Sequence, residues 1–282
     1  MTSATVCLTF DFDAMSLWIA RGMTSPGPLS RGEFGAHAVP RILRLLGRYR
    51  IPSTWFVPGH TAETYPGLVA GIAEAGHEVA LHGYAHEAVS GLDAAGERDV
   101  LTRAKDVLTR VTGGEPAGNR TPGWDFTDST VDILVELGIR YDSSLMATDY
   151  TPYYARTGDK APGDGPYRFG TPTPLVELPV SWTLDDYPHF EFVRAPGTVM
   201  PGLRSPREVF GNFLDDVRYL VREEPGGVCV ITFHPQVIGR GHRMLGLEWF
   251  LDQLAALGAR YARCDSVADA FRDGTPGAPS LP

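Results

Sequence analysis

Two short segments concentrate side chains able to bind a cation or move a proton. Asp11 and Asp13 close the stretch TFDFD, and His82 and His86 bracket HGYAH. On an extended chain, residues two apart leave on the same face, so Asp11 and Asp13 can address one point. One carboxylate would then suit a metal and the other proton transfer; the plainer alternative is a pair of turn-forming acids. Two His four apart converge on one ion if the segment turns helically. The eight His of this chain give about 0.2 such pairs by chance, so the spacing informs only in company. Asp13, His82 and His86 together make three ligands with positions left open for water and substrate, as a catalytic metal needs.

Three further clusters carry polar residues at element ends. Arg120, in NRTPGW, can orient an acidic side chain by a forked contact or grip an anionic substrate group; otherwise it is a surface charge beside a turn. Asp185 and Asp186 are either solvated loop acids or part of a site. His234, in TFHPQ, follows the most apolar run in the chain, and Pro235 stops that run, which puts the imidazole at a rim and makes it a catalytic candidate. Candidates for substrate contacts are Tyr84, Trp124, Trp182, Asp186, Tyr150 and Tyr153.

The elements that must hold these residues alternate. Apolar, β-branched or aromatic runs at 5–10, 53–57, 78–81, 116–119, 140–141, 175–180, 228–233 and 260–264 read as strands. Between them lie helical patterns: 39–46 with Pro40 near its start, 66–75, 93–111, 128–137 with Asp128 as N-cap, 206–222, 245–257 and 266–272. Strand–helix alternation predicts α/β architecture, a distorted barrel of seven or eight βα units, with active residues at the C-terminal ends of strands. One domain is expected over 1–272, with a flexible tail at 273–282. Residues 143–174 follow no period and are expected to form a loop that shapes substrate choice through Tyr150, Tyr153 and Tyr154.

Lys plus Arg number 25 against 34 Asp plus Glu, a net charge of −9, which leaves no electrostatic footprint for nucleic acid. Three Cys without a CxxC pair argue against a disulfide scaffold or a Cys-ligated zinc. Apolar stretches are too short to span a bilayer, and the first residues show no basic start followed by an apolar run. A cytoplasmic protein without membrane or nucleic-acid partners is expected.

TFDFD, HGYAHE, NRTPG and TFH occur in an order and spacing that resemble the polysaccharide deacetylase family, also called the NodB-homology or carbohydrate esterase family 4 group. The resemblance runs from about Thr5 to Cys264. It implies a distorted (β/α) barrel of the NodB type and metal-dependent hydrolysis of an amide, often an N-acetyl group on an amino sugar. It further implies that Asp13, His82 and His86 bind one divalent cation, zinc first, with Co2+, Ni2+ or Mn2+ as alternatives. Asp11 would be the general base, Arg120 would orient it and His234 would be the general acid. Phe12 separates the two Asp residues that extracellular sugar deacetylases carry side by side. That departure, the stretch at 31–35 and FHPQVIGRGHR look more like the cytoplasmic branch, which includes peptidoglycan-deacetylase-like proteins, cyclic imide hydrolases and metal-independent allantoinases. The allantoinases lack the second His, whereas this chain keeps His86. An N-acetylated sugar and a small cyclic amide are thus both implied substrates, and a homo-oligomer is implied by the same branch.

Rival readings of the same residues leave more unexplained. An Asp/His/His set also serves non-haem iron oxygenases, which favour antiparallel double sheets. A glycoside hydrolase using Asp11 with Asp185 or Asp186 would give the two His no task. A non-catalytic carbohydrate-binding barrel is the remaining alternative.

Overall fold

The computed structural model describes residues 4–195 and 198–274; the tail expected from 273 lies outside the described residues beyond Gly274. A nine-stranded sheet organises the chain. Its strands are β1 (Thr5–Asp11), β2 (Thr54–Val57), β3 (Glu78–Leu81), β4 (Gly118–Asn119), β5 (Tyr141–Asp142), β6 (Tyr153–Thr157), β7 (Thr171–Glu177), β10 (Val228–Phe233) and β11 (Arg260–Tyr261). A separate hairpin pairs β8 (Val193–Ala195) with β9 (Thr198–Met200). The order is β10-β1-β2-β3-β4-β5-β7-β6, with β11 against β1. All pairings in the large sheet are parallel except β6 with β7.

The sheet curls into a half-barrel. After β7 the chain crosses back toward β10, where Asp185 makes one parallel bridge with Thr232. The expected α/β architecture of alternating strands and helices is therefore observed, with the sheet curled into a half-barrel.

The period-two rule explains why β1 points chemistry inward. Val6, Leu8, Phe10 and Phe12 join the core shared with the outer helices. Cys7 belongs instead to a second cluster with Phe56, Ala80, Tyr141, Leu178 and Val230 inside the curl. Thr9 and Asp11 follow Cys7 on that inner face. The outer core is dense in aromatics: Phe10 stacks on Trp55 with centroids 4.5 Å apart. Helix Cys264–Arg272 plugs the N-terminal end, donating from the Cys264 backbone to Thr54 Oγ1 at 2.9 Å.

Three expectations need correction. Pro40 lies well inside helix Pro26–Tyr49, not near a start, and is tolerated on an exposed face where a missing N–H matters least. Helix Thr130–Glu136 is preceded by Ser129 in place of Asp128, without a side-chain cap. Most importantly, 143–174 is not a loop throughout. β6 and the start of β7 form an antiparallel pair there, irregular between Tyr154 and Arg156. The first residues of β7 are exposed on both faces and carry prolines at 172 and 174, so they lack the alternation that a half-buried strand displays.

Candidate active site

The C-terminal ends of β1, β3, β4 and β10 converge on one cavity of about 180 Å3. Asp11 is the last residue of β1, and Asp13 follows in a turn whose Asp13 carbonyl accepts from Thr61 Oγ1 at 2.7 Å. Helix Pro26–Tyr49 clamps that turn: a Cβ on Gly32 would lie 2.5 Å from the Ala14 oxygen, so only glycine permits the approach. His82 directly follows β3. The Glu87 carboxylate accepts from the Tyr84 and Ala85 backbone at 3.0 and 2.7 Å, folding 82–86 back on itself.

Asp13 Oδ1 lies 3.4 Å from His82 Nε2 and 3.9 Å from His86 Nε2. It is buried and has no hydrogen-bond partner. The ligand atoms of these three residues all fall within 4.8 Å of one another. His82 Nδ1 donates to the Arg120 carbonyl at 2.7 Å, which leaves Nε2 with its lone pair toward Asp13. Burial opposes ionisation of Asp13, but His86, His82 and His234 outweigh it and hold the carboxyl well below the usual carboxylate range. Burial pushes His86 down to about 4, so its imidazole is neutral at pH 7. Burial also opposes charge on His82, yet Asp11 and Asp13 push it upward. A proton on His82 and a cation beside Asp13 satisfy the same electrostatic demand and compete for Nε2. The donor set, two imidazole nitrogens and an orphaned carboxylate oxygen, fits a metal of the zinc type.

Asp11 is turned differently. Its Oδ1 accepts from Arg120 Nη1 at 2.8 Å, while Oδ2 stands 3.9 Å from both His82 Nε2 and His234 Nε2. Arg120 is itself wholly buried. It donates to Thr9 Oγ1 at 2.8 Å, to the Ser143 carbonyl at 2.8 Å and to Ser143 Oγ at 2.9 Å, with its guanidinium over Phe56. His234 follows β10, and its Nδ1 donates to Asp186 Oδ1 at 2.8 Å. Asp186 also accepts from the His234 backbone N–H. Burial alone would lower His234, but Asp185, Asp186 and Asp13 push it up to about 10, so Nε2 carries a proton at neutral pH. Asp185, Asp186 and His234 also cluster as potential metal ligands, but His234 Nδ1 is already spent on Asp186.

Trp124 and Trp182 stack at 4.2 Å along the cavity wall. Leu17, Arg21, Tyr187 and Met200 add to the lining. Non-glycine residues rarely accept positive φ, yet Ala14 (48°), His86 (59°) and Trp124 (57°) do so beside this cavity.

Of the expected substrate contacts, Trp124 and Trp182 reach the cavity and four others do not. Tyr84 donates to Glu63 Oε2 on the outside. Asp186 is consumed in holding His234. Tyr150 donates to Asp216 Oδ1, and its carbonyl accepts from Val228 at the start of β10, the end opposite the site. Tyr153 is buried opposite Glu177 between β6 and β7. The hairpin therefore braces the sheet edge and does not roof the cavity. Sequence reasoning missed Gln236, whose Nε2 donates to Asp13 Oδ2 at 3.1 Å, and Ser143 beneath Arg120. Gln236 sits two residues past His234 in HPQ, a signal only if that segment is already known to turn.

Fold and site define a class: a hydrolase on a curled α/β half-barrel with Asp and His side chains able to hold a metal. A family model described as polysaccharide deacetylase matches residues 2–141. The chain is 36% identical over 276 residues to the peptidoglycan deacetylase of Helicobacter pylori, covering 93% of this chain and 94% of that one. It is 30% identical over 275 residues to a peptidoglycan deacetylase-like protein of Gibberella zeae, covering 90% and 81%. A crystal structure from Mycobacterium smegmatis, described as a polysaccharide deacetylase, superposes with a TM-score of 0.84 at 34% identity, covering 100% of this chain and 95% of that one. The chain belongs to the polysaccharide deacetylase family, hydrolases of carbon–nitrogen bonds other than peptide bonds. No helix among the described residues is long and apolar enough to cross a membrane.

Proposed function

We propose that this chain hydrolyses the amide of a small molecule, with Asp13, His82 and His86 holding one divalent cation, zinc first. The observation that carries the metal is the buried, unpartnered Oδ1 of Asp13 facing two imidazole nitrogens. When bound, such a cation supplies a Lewis acid for the carbonyl oxygen and a means of activating water at neutral pH.

The chain's own residues divide the proton work. Arg120 occupies Oδ1 of Asp11 and fixes the carboxylate plane, so Oδ2 is the free lone pair that accepts a proton from attacking water. His234 holds a proton at Nε2 because Asp186 anchors Nδ1, and it delivers that proton to the departing nitrogen. Acid and base thus face one space with opposite protonation, as amide cleavage needs. Gln236 keeps Asp13 Oδ2 turned away, directing Oδ1 at the imidazoles.

A cavity of about 180 Å3 walled by the stacked Trp124 and Trp182 supports a compact amide, such as a cyclic imide or ureide. The second reading, an N-acetylated sugar, rests on the names of the Helicobacter pylori and Gibberella zeae relatives. Cytoplasmic action as a homo-oligomer belongs to the same proposal and rests on likeness to the cytoplasmic branch. Zinc-loaded protein assayed on hydantoins and imides against N-acetylglucosamine oligomers tests it. Turnover of the cyclic amides supports the small-molecule reading; turnover of oligomers alone overturns it.

A further inference from the structure

Asp142 on β5 and Glu177 on β7 stand directly opposite each other in a parallel register, so their side chains leave on one face of the sheet. Tyr141, Val176 and Leu178 alternate with them and belong to the cluster inside the curl, which turns both carboxyls the other way. Both residues are wholly buried. Glu177 Oε1 accepts from the Ser144 and Leu145 backbone at 2.8 Å each, and Asp142 Oδ1 accepts from Asn119 Nδ2 at 2.6 Å. The second oxygens, Glu177 Oε2 and Asp142 Oδ2, are buried with no donor among the described residues, and the two carboxyls lie within hydrogen-bonding reach of each other. Two acceptors cannot bond without a hydrogen, and two adjacent buried charges repel strongly. One proton between them removes both penalties.

The surroundings favour that count. Burial pushes Asp142 up to about 6, against hydrogen bonds from Asn119 and Ser144. Burial and the neighbouring Asp142 push Glu177 well above the carboxylate range. Arg120, just past β4, is the charged group that faces Asp142, but its donors are committed to Asp11, Thr9 and Ser143. Tyr153, opposite Glu177 on β6, is a phenol that burial and Glu177 keep neutral. Arg156 on the same strand is paired with Asp159. Helix Thr130–Glu136 packs on β6 and β7 with Asp132 turned to Thr157 and Glu136 to Arg98, and Asp269 of helix Cys264–Arg272 pairs with Arg140.

The bonds made by this pair surround Arg120. Asp142 holds Asn119, the residue before it. Glu177 fixes the backbone over 143–145, where the Ser143 carbonyl and Oγ accept from the guanidinium. Ser144 Oγ accepts from the backbone of Thr121, the residue after. We propose that Asp142 and Glu177 share a single proton and are positioning residues for Arg120, and through it for the Asp11 carboxylate. The effect on turnover rests on the reading of Asp11 as the base; the proton and the clasp on Arg120 do not.

Amide substitutions test the proposal, because an amide N–H can stand where the proton sits. In Glu177→Gln or Asp142→Asn alone, an oxygen still meets the backbone or Asn119 donors and an N–H bridges the pair. In the double variant two amide nitrogens must meet, donor against donor. By NMR of isotope-labelled protein, the Arg120 Nε–H, buried and donated to Ser143, should keep its resonance in each single variant and shift or lose it in the double. The kcat of the double should fall about tenfold or more below either single, with KM within about threefold. Should the double not fold, Asp142→Ala, which strips Asn119 of its acceptor, takes its place. Urea unfolding reads the proton separately. A proton held in the folded state and released on unfolding makes stability greatest below the ordinary carboxylate range. Stability then falls as pH rises, by about tenfold in the folding equilibrium per pH unit between about pH 5 and 7. Glu177→Gln should remove that component from the parental slope, and Glu78→Gln should leave it in place. The proposal is overturned if Glu177→Gln keeps the parental slope, or if the Arg120 resonance of the double variant, or of Asp142→Ala in its place, matches the parent. Absence of parental turnover would instead defeat the reading of the site as a hydrolase, and the resonance and the slope would still decide the proposal.

Discussion

Two buried carboxylates, at opposite ends of the same half-barrel, are treated in opposite ways. At the N-terminal end, Glu78 on β3 accepts from Thr54 Oγ1 at 2.7 Å, Tyr141 Oη at 2.8 Å and the Asp265 backbone at 3.0 Å. At the C-terminal end, Asp13 has an Oδ1 with no donor at all. Burial pushes Glu78 up to about 7, whereas the surrounding imidazoles hold Asp13 well below the carboxylate range. A buried acid supplied with neutral donors closes a fold. A buried acid kept ionised and left short of a partner is prepared for something from outside. The contrast separates structure from function without reference to any relative.

The sharpest way to break that contrast is at the base beside Asp13. Asp11→Asn keeps the Arg120 contact through its amide oxygen but cannot take a proton. Turnover should fall by about 10²–10⁴ while metal content stays at the parental level, measured by kcat and elemental analysis together. Next comes the support of the acid. Asp186→Asn should lower kcat about 10–100-fold and shift the alkaline limb of the pH–rate profile downward, because Asp186 is one of the groups that raise His234.

The N-terminal end should respond in stability and not in turnover. Glu78 has a folded-state value of about 7 against 4.5 for an unperturbed group, so between those values the folded state binds more protons than the unfolded one. Stability is then fully present below about pH 4.5 and falls as pH rises toward 7, by on the order of 3 kcal/mol. Glu78→Gln should flatten this slope in urea unfolding across that window and leave kcat within twofold of the parent. The smallest expected effect is at the bracing hairpin. Tyr150→Phe removes the bond to Asp216 and should cost about 1 kcal/mol without changing KM or kcat.

What was legible in the sequence was what a local period or a strand end can display. Asp11, Asp13, His82 and His234 announce themselves because apolar runs stop at them, and the rule that parallel strands present chemistry at their C-terminal ends does the rest. Their supports were not legible. Gln236 reaches Asp13 across 223 residues, and Ser143 reaches Arg120 across 23, distances over which no pattern in one sequence speaks. Asp185 and Asp186 are adjacent and identical in type, and both approach His234 Nδ1, at 3.4 and 2.8 Å; only the local turn, with the Asp185 side chain capping the Tyr187 N–H, decides that Asp186 takes the hydrogen bond. Tyr150 and Tyr153 misled for the converse reason. Aromatic hydroxyls in a proline-rich stretch resemble a substrate lid, but buried against Asp216 and Glu177 they are part of the sheet edge.

The central proposal is that Asp13, His82 and His86 form one cation site, since the buried Asp13 Oδ1 has no donor and faces two imidazole nitrogens. Elemental analysis of zinc-loaded, desalted parent, His82→Ala and His86→Ala proteins, alongside circular dichroism, tests it most directly. The account predicts one metal ion per parent chain and its loss in both variants with the fold unchanged. Full occupancy in either variant, or none in a parent that still hydrolyses an amide, would contradict it.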